Sequence, residues 1–173
     1  MTELRRRVWF AVLCSALACA GVRSPGRSRG AEHVGEPFAL TAPDLEGREV
    51  DVAAARGKVR VVEFWATWCE PCKDAMPALD QMARELGPRG LEVYGVSVDE
   101  DRTKVLDYLR ARPVGFRILW DKGAVRLTRL GVTLMPVTFL VDRSGVVRHV
   151  YQGWDATRAR RERKEIEDLL GQP

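Results

Sequence analysis

The chain is poor in the residues that would anchor several classes of function. Its 173 residues include only four cysteines and two histidines. A structural zinc centre needs about four nitrogen or sulfur ligands, so metal binding has little to draw on. No uncharged stretch reaches the ~20 residues of a membrane-spanning helix. Internal repeats are absent, which excludes solenoids and propellers. The body also lacks an excess of either charge. The formal net charge of +4 is concentrated in residues 1–30, where six arginines face Glu3 alone. The remainder carries 22 basic and 23 acidic residues, 28 − 6 and 24 − 1, a balance of −1. Nucleic acid is therefore not an expected partner. What is present is an ordinary globular mixture, 46% hydrophobic and 30% charged. That composition excludes disorder, collagen and a polytopic membrane protein, and the length suits one domain.

Arg5, Arg6 and Arg7 precede thirteen uncharged residues, Val8 to Ala20. A basic start, an apolar run and small residues form the layout of an export signal. Two endings compete. Ala18-Cys19-Ala20 offers a cut after Ala20. Ser15-Ala16-Leu17-Ala18-Cys19 resembles a bacterial lipobox, with Ala16 where Leu is usual, and Cys19 would become the lipidated first residue. Lipidation of Cys19 is the expectation, with soluble export or an uncleaved anchor as alternatives. Each route delivers the rest of the chain to the periplasmic side of a bacterial envelope, where disulfides persist. Cys14 lies inside the apolar run as a small hydrophobe. Residues 1–20 are thus assigned to the signal peptide. Residues 21–36, rich in Gly and Ser without an apolar period, form a flexible tether with a solvated His33. Residues 37–173 form the folded domain.

Along that domain the pattern predicts a strand-like start at Phe38 and Leu40, a turn at Asp44–Gly47 and a short strand near Val50. Val59 to Trp65 is β-branched and nearly continuous, as in a central strand covered on both faces. Cys69 to Leu86 is helical, with a kink expected at Pro77. A strand follows at Leu91 to Val98. The next helix, Asp101 to Arg112, should bury Val105, Leu106 and Leu109. A strand at Phe116 to Trp120 and a short helix at Ala124 to Leu130 come next. Val137 to Val141 and Val146 to Tyr151 are joined through Asp142-Arg143-Ser144-Gly145 as a hairpin, and Asp155 caps a last helix to Leu170. The run Arg158, Arg160, Arg161, Arg163, Lys164, interleaved with Glu162, reads as a solvated helix face. Alternating strands and helices give a three-layer α/β/α domain with a mixed sheet.

Cys69 and Cys72 are the cysteines of the body, and a spacing of three cannot staple distant segments. They sit where a buried strand turns into a helix. There the free N–H groups and the helix dipole stabilise a thiolate. Cys69, first in the turn, would be the exposed nucleophile, and Cys72 the buried resolving thiol. Pro71 is tolerated in a first helical turn because its missing N–H is not needed. A zinc site would have only these two cysteines and the distant His149, itself read as a surface strand residue.

With Phe64-Trp65-Ala66-Thr67-Trp68-Cys69-Glu70-Pro71-Cys72-Lys73, Pro77, and Gly131 to Asp142 in view, the chain resembles the thioredoxin superfamily. Within it, the chain is similar to TlpA/ResA-like extracytoplasmic thiol–disulfide oxidoreductases, over roughly residues 37–170. The resemblance implies a thioredoxin-like fold with an added N-terminal β-hairpin. It implies a cis Met135–Pro136 peptide opposite the cysteines, with Trp68, Glu70, Pro71, Met135 and Pro136 contacting substrate. Backbone pairing at Met135 would admit an extended client segment. It also implies a monomer with no cofactor beyond the Cys69–Cys72 disulfide. Client proteins bearing thiols or disulfides, apocytochrome c among the candidates, and a membrane thiol–disulfide donor would be its partners.

The chain departs from the family pattern in three places. Ala75 stands where ResA-like proteins often place a Glu, and Leu134 and Val137 stand where a cytochrome-maturation subgroup tends to have Gly and Glu. Glu63 occupies the place of thioredoxin's buried acid, but that acid's lysine companion would fall near Gly95. Enclosure by Val61, Val62 and Phe64 should raise the pKa of Glu63, with nothing evident to oppose the rise, and suit it as proton acceptor for Cys72. The plainer alternative for Glu63 is an edge-pointing or Arg-paired carboxylate. Two other functions are weighed: a thiol peroxidase, for which P-x-x-x-T-x-x-C is missing around Cys69, and a copper carrier of the same fold, which would want a wider cysteine spacing and a nearby His.

Overall fold

The computed structural model describes residues 31–172. Residues 1–30, with the expected signal peptide, Cys14, Cys19 and most of the expected tether, lie outside the described residues. At the centre stands β3, Val59–Trp65, all seven residues of which are buried. Its largely apolar and β-branched run, interrupted by Arg60 and Glu63, suits a strand with a covered face on each side. Parallel to it lies β4 (Leu91–Ser97), and beyond that β5 (Arg117–Trp120). On its other side lie antiparallel β6 (Val137–Val141) and β7 (Val147–Gln152), completing the order β5-β4-β3-β6-β7. The sheet is mixed because α1 (Glu70–Leu86) carries the chain across to a parallel β4, whereas β6 turns straight back through a hairpin. In that turn Asp142 Oδ1 accepts the N–H groups of Ser144 and Val146, each at 2.9 Å, and Gly145 supplies the positive φ of 94°.

The added hairpin pairs β1 (Thr41–Pro43) with β2 (Glu49–Asp51). Asp44 closes it by accepting the N–H groups of Glu46 and Arg48, both at 2.9 Å. The strand-like start expected at Phe38 is instead a buried approach, with Phe38 and Leu40 in the core before β1 begins. Ordered chain reaches back further, into the stretch read as tether. His33, expected in solvent, is half-buried. Its Nε2 lies 2.8 Å from the Leu130 carbonyl, and its ring sits edge-on to Phe139 at 5.7 Å.

Two layers cover the sheet. On one face Phe38 and Phe64 pack on Phe139, with ring centres 5.2 and 6.0 Å apart. Complete burial of each such side chain contributes roughly 1.5–3 kcal/mol. The short α3 (Val125–Arg129) ends on this side, through Leu130 and His33. On the other face lie α1, α2 (Arg102–Ala111) and α4 (Ala156–Leu170). Tyr108 of α2 packs on Trp65 at 5.1 Å, and Arg163 of α4 pairs with Glu85 of α1 at 2.7 Å. Val105 and Tyr108 are the buried residues of α2, while Leu106 and Leu109 are half-buried. The aromatic ring lying on Trp65 takes the place expected of leucine. α1 is one uninterrupted helix through Pro77, whose ring is exposed. Among the described residues no helix is long and apolar enough to cross a membrane.

Candidate active site

The chain leaves β3 at Trp65 and enters α1 through the loop Ala66–Cys69. Asp99, just past β4 and 1% exposed, clamps that loop. Its Oδ2 accepts the Thr67 N–H at 3.0 Å and its Oδ1 the Thr67 hydroxyl at 2.6 Å. Ser97 Oγ donates to the same carboxylate at 2.8 Å, and Trp120 Nε1 donates to the Asp99 carbonyl at 2.7 Å. Sequence reasoning missed Thr67 and Asp99 as positioning residues. The polar Ser97-x-Asp99 ending an otherwise apolar strand was the available signal.

Cys69 is the N-cap of α1, in extended conformation, and its carbonyl accepts the Lys73 N–H at 3.2 Å. It is disulfide-bonded to Cys72, with the two Cα atoms 5.3 Å apart. Cys72, one turn inside, is fully buried. Cys69 retains 7% of its surface, less than the exposed nucleophile expected, so solvent meets only its edge. Beside it Trp68 is 64% exposed. Glu70 and Pro71 are exposed as well, and Glu70 pairs with Lys73 at 2.7 Å. Such a surface ion pair contributes little to stability.

The Met135–Pro136 peptide is cis. Register pairs Val137 with Phe64, which places Pro136 beside Trp65 at the sheet end where the cysteine loop begins. Gly153 N–H holds the Pro136 carbonyl at 2.9 Å. Pro136 is buried, Met135 half-buried, and the preceding Leu134 is 60% exposed. Ala75 is fully buried. Among the described residues no group of three His, Cys, Asp or Glu side chains could hold a metal ion. His149 instead stacks on Tyr151 and lies 3.5 Å from Glu165.

Glu63 is completely buried, and its surroundings correct two expectations. The leading reading has no cation to oppose its raised pKa; the structure supplies one from α4, as the Arg-paired alternative has it. Arg158 Nη2 lies 3.7 Å from Glu63 Oε2 and 3.3 Å from Glu162 Oε2. The Thr138 hydroxyl donates to Glu63 Oε2 and accepts from Arg158 Nη2. The second correction concerns part of the helix face read as solvated: Arg160, Arg161 and Lys164 are exposed, but Arg158 is 4% exposed and Glu162 not at all. Residues 158, 162, 166, 169 and 170 form the buried stripe of α4. That spacing was visible, but two charged residues disguised it. β4 cannot supply the cation for a steric reason. A Cβ on Gly95 would stand 2.9 Å from both Ile118 Cδ1 and Phe116 Cε2, so no lysine fits there.

Burial pushes the Glu63 carboxyl above the usual carboxylate range, while Arg158 and the Thr138 hydroxyl oppose the rise. Burial likewise raises Glu162, to about 7, with the charge of Glu63 adding to it and Arg158 and Arg161 opposing.

A family model described as the AhpC/TSA family matches residues 34–150. The thiol-disulfide oxidoreductase ResA of Geobacillus thermodenitrificans is 35% identical over 118 residues, 65% of this chain and 68% of that protein. ResA of Bacillus thuringiensis subsp. konkukian is 30% identical over 110 residues. There the match spans 64% of each chain, slightly under two thirds of the relative's length. Among solved structures, a Chlorobium tepidum chain provisionally assigned as the thiol:disulfide interchange protein DsbE superposes with a TM-score of 0.76. It is 27% identical, and the alignment covers 80% of this chain and 98% of that one.

Proposed function

We propose, for a chain that belongs to the AhpC/TSA family, that its activity is thiol–disulfide exchange with other proteins, run as reduction of client disulfides. One observation carries the proposal: a disulfide at the start of α1 joins a sulfur with an accessible edge to one that is sealed. In the reduced protein the Cys69 thiolate, favoured by the helix N-terminus, attacks a client sulfur. The client's other sulfur leaves with the electron pair and takes a proton from water. Cys72 then gives its proton to Glu63 and attacks the Cys69 sulfur of the mixed disulfide. The Cys69–client bond breaks, the second client sulfur leaves with the electron pair and takes a proton from water, and the protein holds the Cys69–Cys72 disulfide. Two electrons pass from the cysteine pair to the client, and no further cofactor is needed.

The exposed Trp68 and Leu134 offer apolar contact on either side of the entry. Glu70 and Pro71 complete the rim, and the Met135 backbone before cis Pro136 accepts the client by strand addition. Clients are proteins with accessible disulfides, and a membrane thiol–disulfide donor returns the pair to the reduced state. Lipidation of Cys19 holds the domain at the periplasmic side of a membrane. Sequence supports this placement through the arginines, the uncharged run and the small residues around Cys19. A peroxidase reading finds no support at the cysteine loop, because Val62 and Ala66 stand where the missing pattern has Pro and Thr.

Insulin reduction under dithiothreitol tests the proposal. The wild type should accelerate it, Cys69→Ser should abolish the acceleration, and Cys72→Ala should accumulate mixed disulfides. Acceleration that survives Cys69→Ser would overturn the assignment.

A further inference from the structure

We propose that Arg158 is the positioning residue that keeps Glu63 ionised and aimed as proton acceptor, while Glu162, across the same guanidinium, holds the one proton that the buried pair of carboxyls shares. The role given to Glu63 rests on the function proposed above; the sharing of the proton does not. Four side chains from three elements meet here, Glu63 from β3, Thr138 from β6, and Arg158 and Glu162 from α4, each at most 4% exposed. Two carboxylates with one guanidinium would leave a net negative charge in the interior, which is strongly disfavoured without further donors. Further donors are lacking. Glu63 Oε1 and both oxygens of Glu162 have no hydrogen-bond partner, and Arg158 Nε and Nη1 reach no acceptor. One bound proton balances the charge.

Hydrogen bonding favours Glu162 as the carboxyl that carries it. Arg158 Nη2 donates to the Thr138 oxygen, which leaves the hydroxyl hydrogen to be donated to Glu63 Oε2. An acceptor that receives a hydroxyl hydrogen and faces a guanidinium favours the ionised form. Glu162 has the guanidinium at 3.3 Å and no hydrogen bond, the poorer setting for an anion. Burial raises both carboxyls, so the hydrogen-bond geometry separates the two.

Surrounding elements add little charge to this cluster. β4 contributes Gly95. From β7 comes Tyr151, its hydroxyl without a partner and its ring 5.4 Å from the Arg158 guanidinium carbon, with Trp154 at 5.2 Å. Arg161 of α4 lies over the same tyrosine ring at 5.4 Å. The buried side of α1 presents Cys72, Ala75, Met76 and Leu79, and its buried acid Asp80 is tied to Arg84 and to the Gly115 N–H. Once Glu63 takes the Cys72 proton, Arg158 faces two neutral carboxyls. Loss of the Glu162 proton then restores the balance, so Glu162 relieves the charge change that the thiol step creates.

Carboxyl-carbon NMR titration of the full-length oxidised protein, labelled at glutamate, reads the cluster without any turnover. Glu162→Gln should abolish the carboxyl titration at about 7 and, with a neutral amide in place of the protonated carboxyl, leave the Glu63 titration where it is. Arg158→Met should move it to higher pH, and Arg158→Lys should restore most of the difference. In stopped-flow, Arg158→Met should slow mixed-disulfide resolution about tenfold at pH 7, a modest part of what general bases contribute. The initial attack by Cys69 should keep its rate. A carboxyl that still titrates at about 7 in Glu162→Gln would place the proton on Glu63 and overturn the inference, and that arm stands even where Arg158→Met does not fold. The expected titration shifts in a protein without insulin reductase activity would uphold the shared proton and reject the proposed function instead.

Discussion

Arg60 and Arg158 are both interior arginines, 1% and 4% exposed, on opposite faces of one sheet. Arg60 stands at the start of β3, away from the cysteines. Its Nη1 donates to the Val52 carbonyl at 2.9 Å and its Nη2 to the Asp142 carbonyl at 3.5 Å. It makes no salt bridge among the described residues, and burial holds its pKa below the usual arginine value. Arg158, near the other end of the same strand, meets two carboxyls and a hydroxyl. The first arginine serves as a donor that ties the N-terminal hairpin and the β6–β7 turn to the central strand. The second serves as a charge. A buried guanidinium is costly in either place, and the compensation differs: backbone carbonyls accept from Arg60, whereas anions face Arg158. Folding needs the former, and chemistry at neutral pH can be tuned only by the latter.

The comparison can be broken at three points. Arg60→Ala should have the largest effect, a loss of about 3–5 kcal/mol from a cavity and stranded carbonyls. Urea unfolding measures it, and the pH profile of disulfide resolution should stay unchanged. A loss below about 1 kcal/mol would reduce Arg60 to a tolerated residue. Glu162→Gln comes second and acts in the opposite direction. The Glu162 carboxyl titrates at about 7 in the fold against 4.5 ordinarily. Stability from this group is therefore fully present below pH 4.5 and is lost as pH rises through about 7. The glutamine variant escapes that loss, so it should exceed the wild type by up to about 3 kcal/mol above pH 7. Unfolding across pH 4–8 checks the sign, and parallel curves would refute it. Gly145→Ala should have the smallest effect, roughly 1–3 kcal/mol. Its φ is 94°, and a new Cβ would stand 3.2 Å from Arg60 Nη2. That variant should soften the Arg60 end of the sheet and leave the titration of Glu63 and Glu162 unaltered, as two-temperature denaturation and NMR would show.

Much of the architecture was legible because local signals agreed with the final packing. The mostly apolar run at Val59–Trp65, the turn residues Asp142–Gly145 and the cap Asp155 each announce an element from within a few residues. The cysteine loop was legible for the same reason, its parts being contiguous from Trp68 to Cys72. Less was visible wherever a partner comes from far along the chain. Glu63 and Arg158 are 95 positions apart, Thr67 and Asp99 are 32, and His33 and Leu130 are 97. In α4 the helical spacing was plain, yet charge on the buried stripe pointed to solvent.

Sequence alone determined the order of strands and helices, the placement of a cysteine pair at a helix start, and the choice of thiol chemistry. These depend on backbone periodicity, turn residues and capping, which act over one or two turns of chain. Tertiary structure decided which charges are inside. Whether an arginine of α4 meets water or a glutamate of β3 depends on how the helix lies across the sheet. The buried Ile166, Leu169 and Leu170 anchor that helix against the core. Burial is a property of the assembled layers, and the protonation of Glu63 and Glu162 follows from burial.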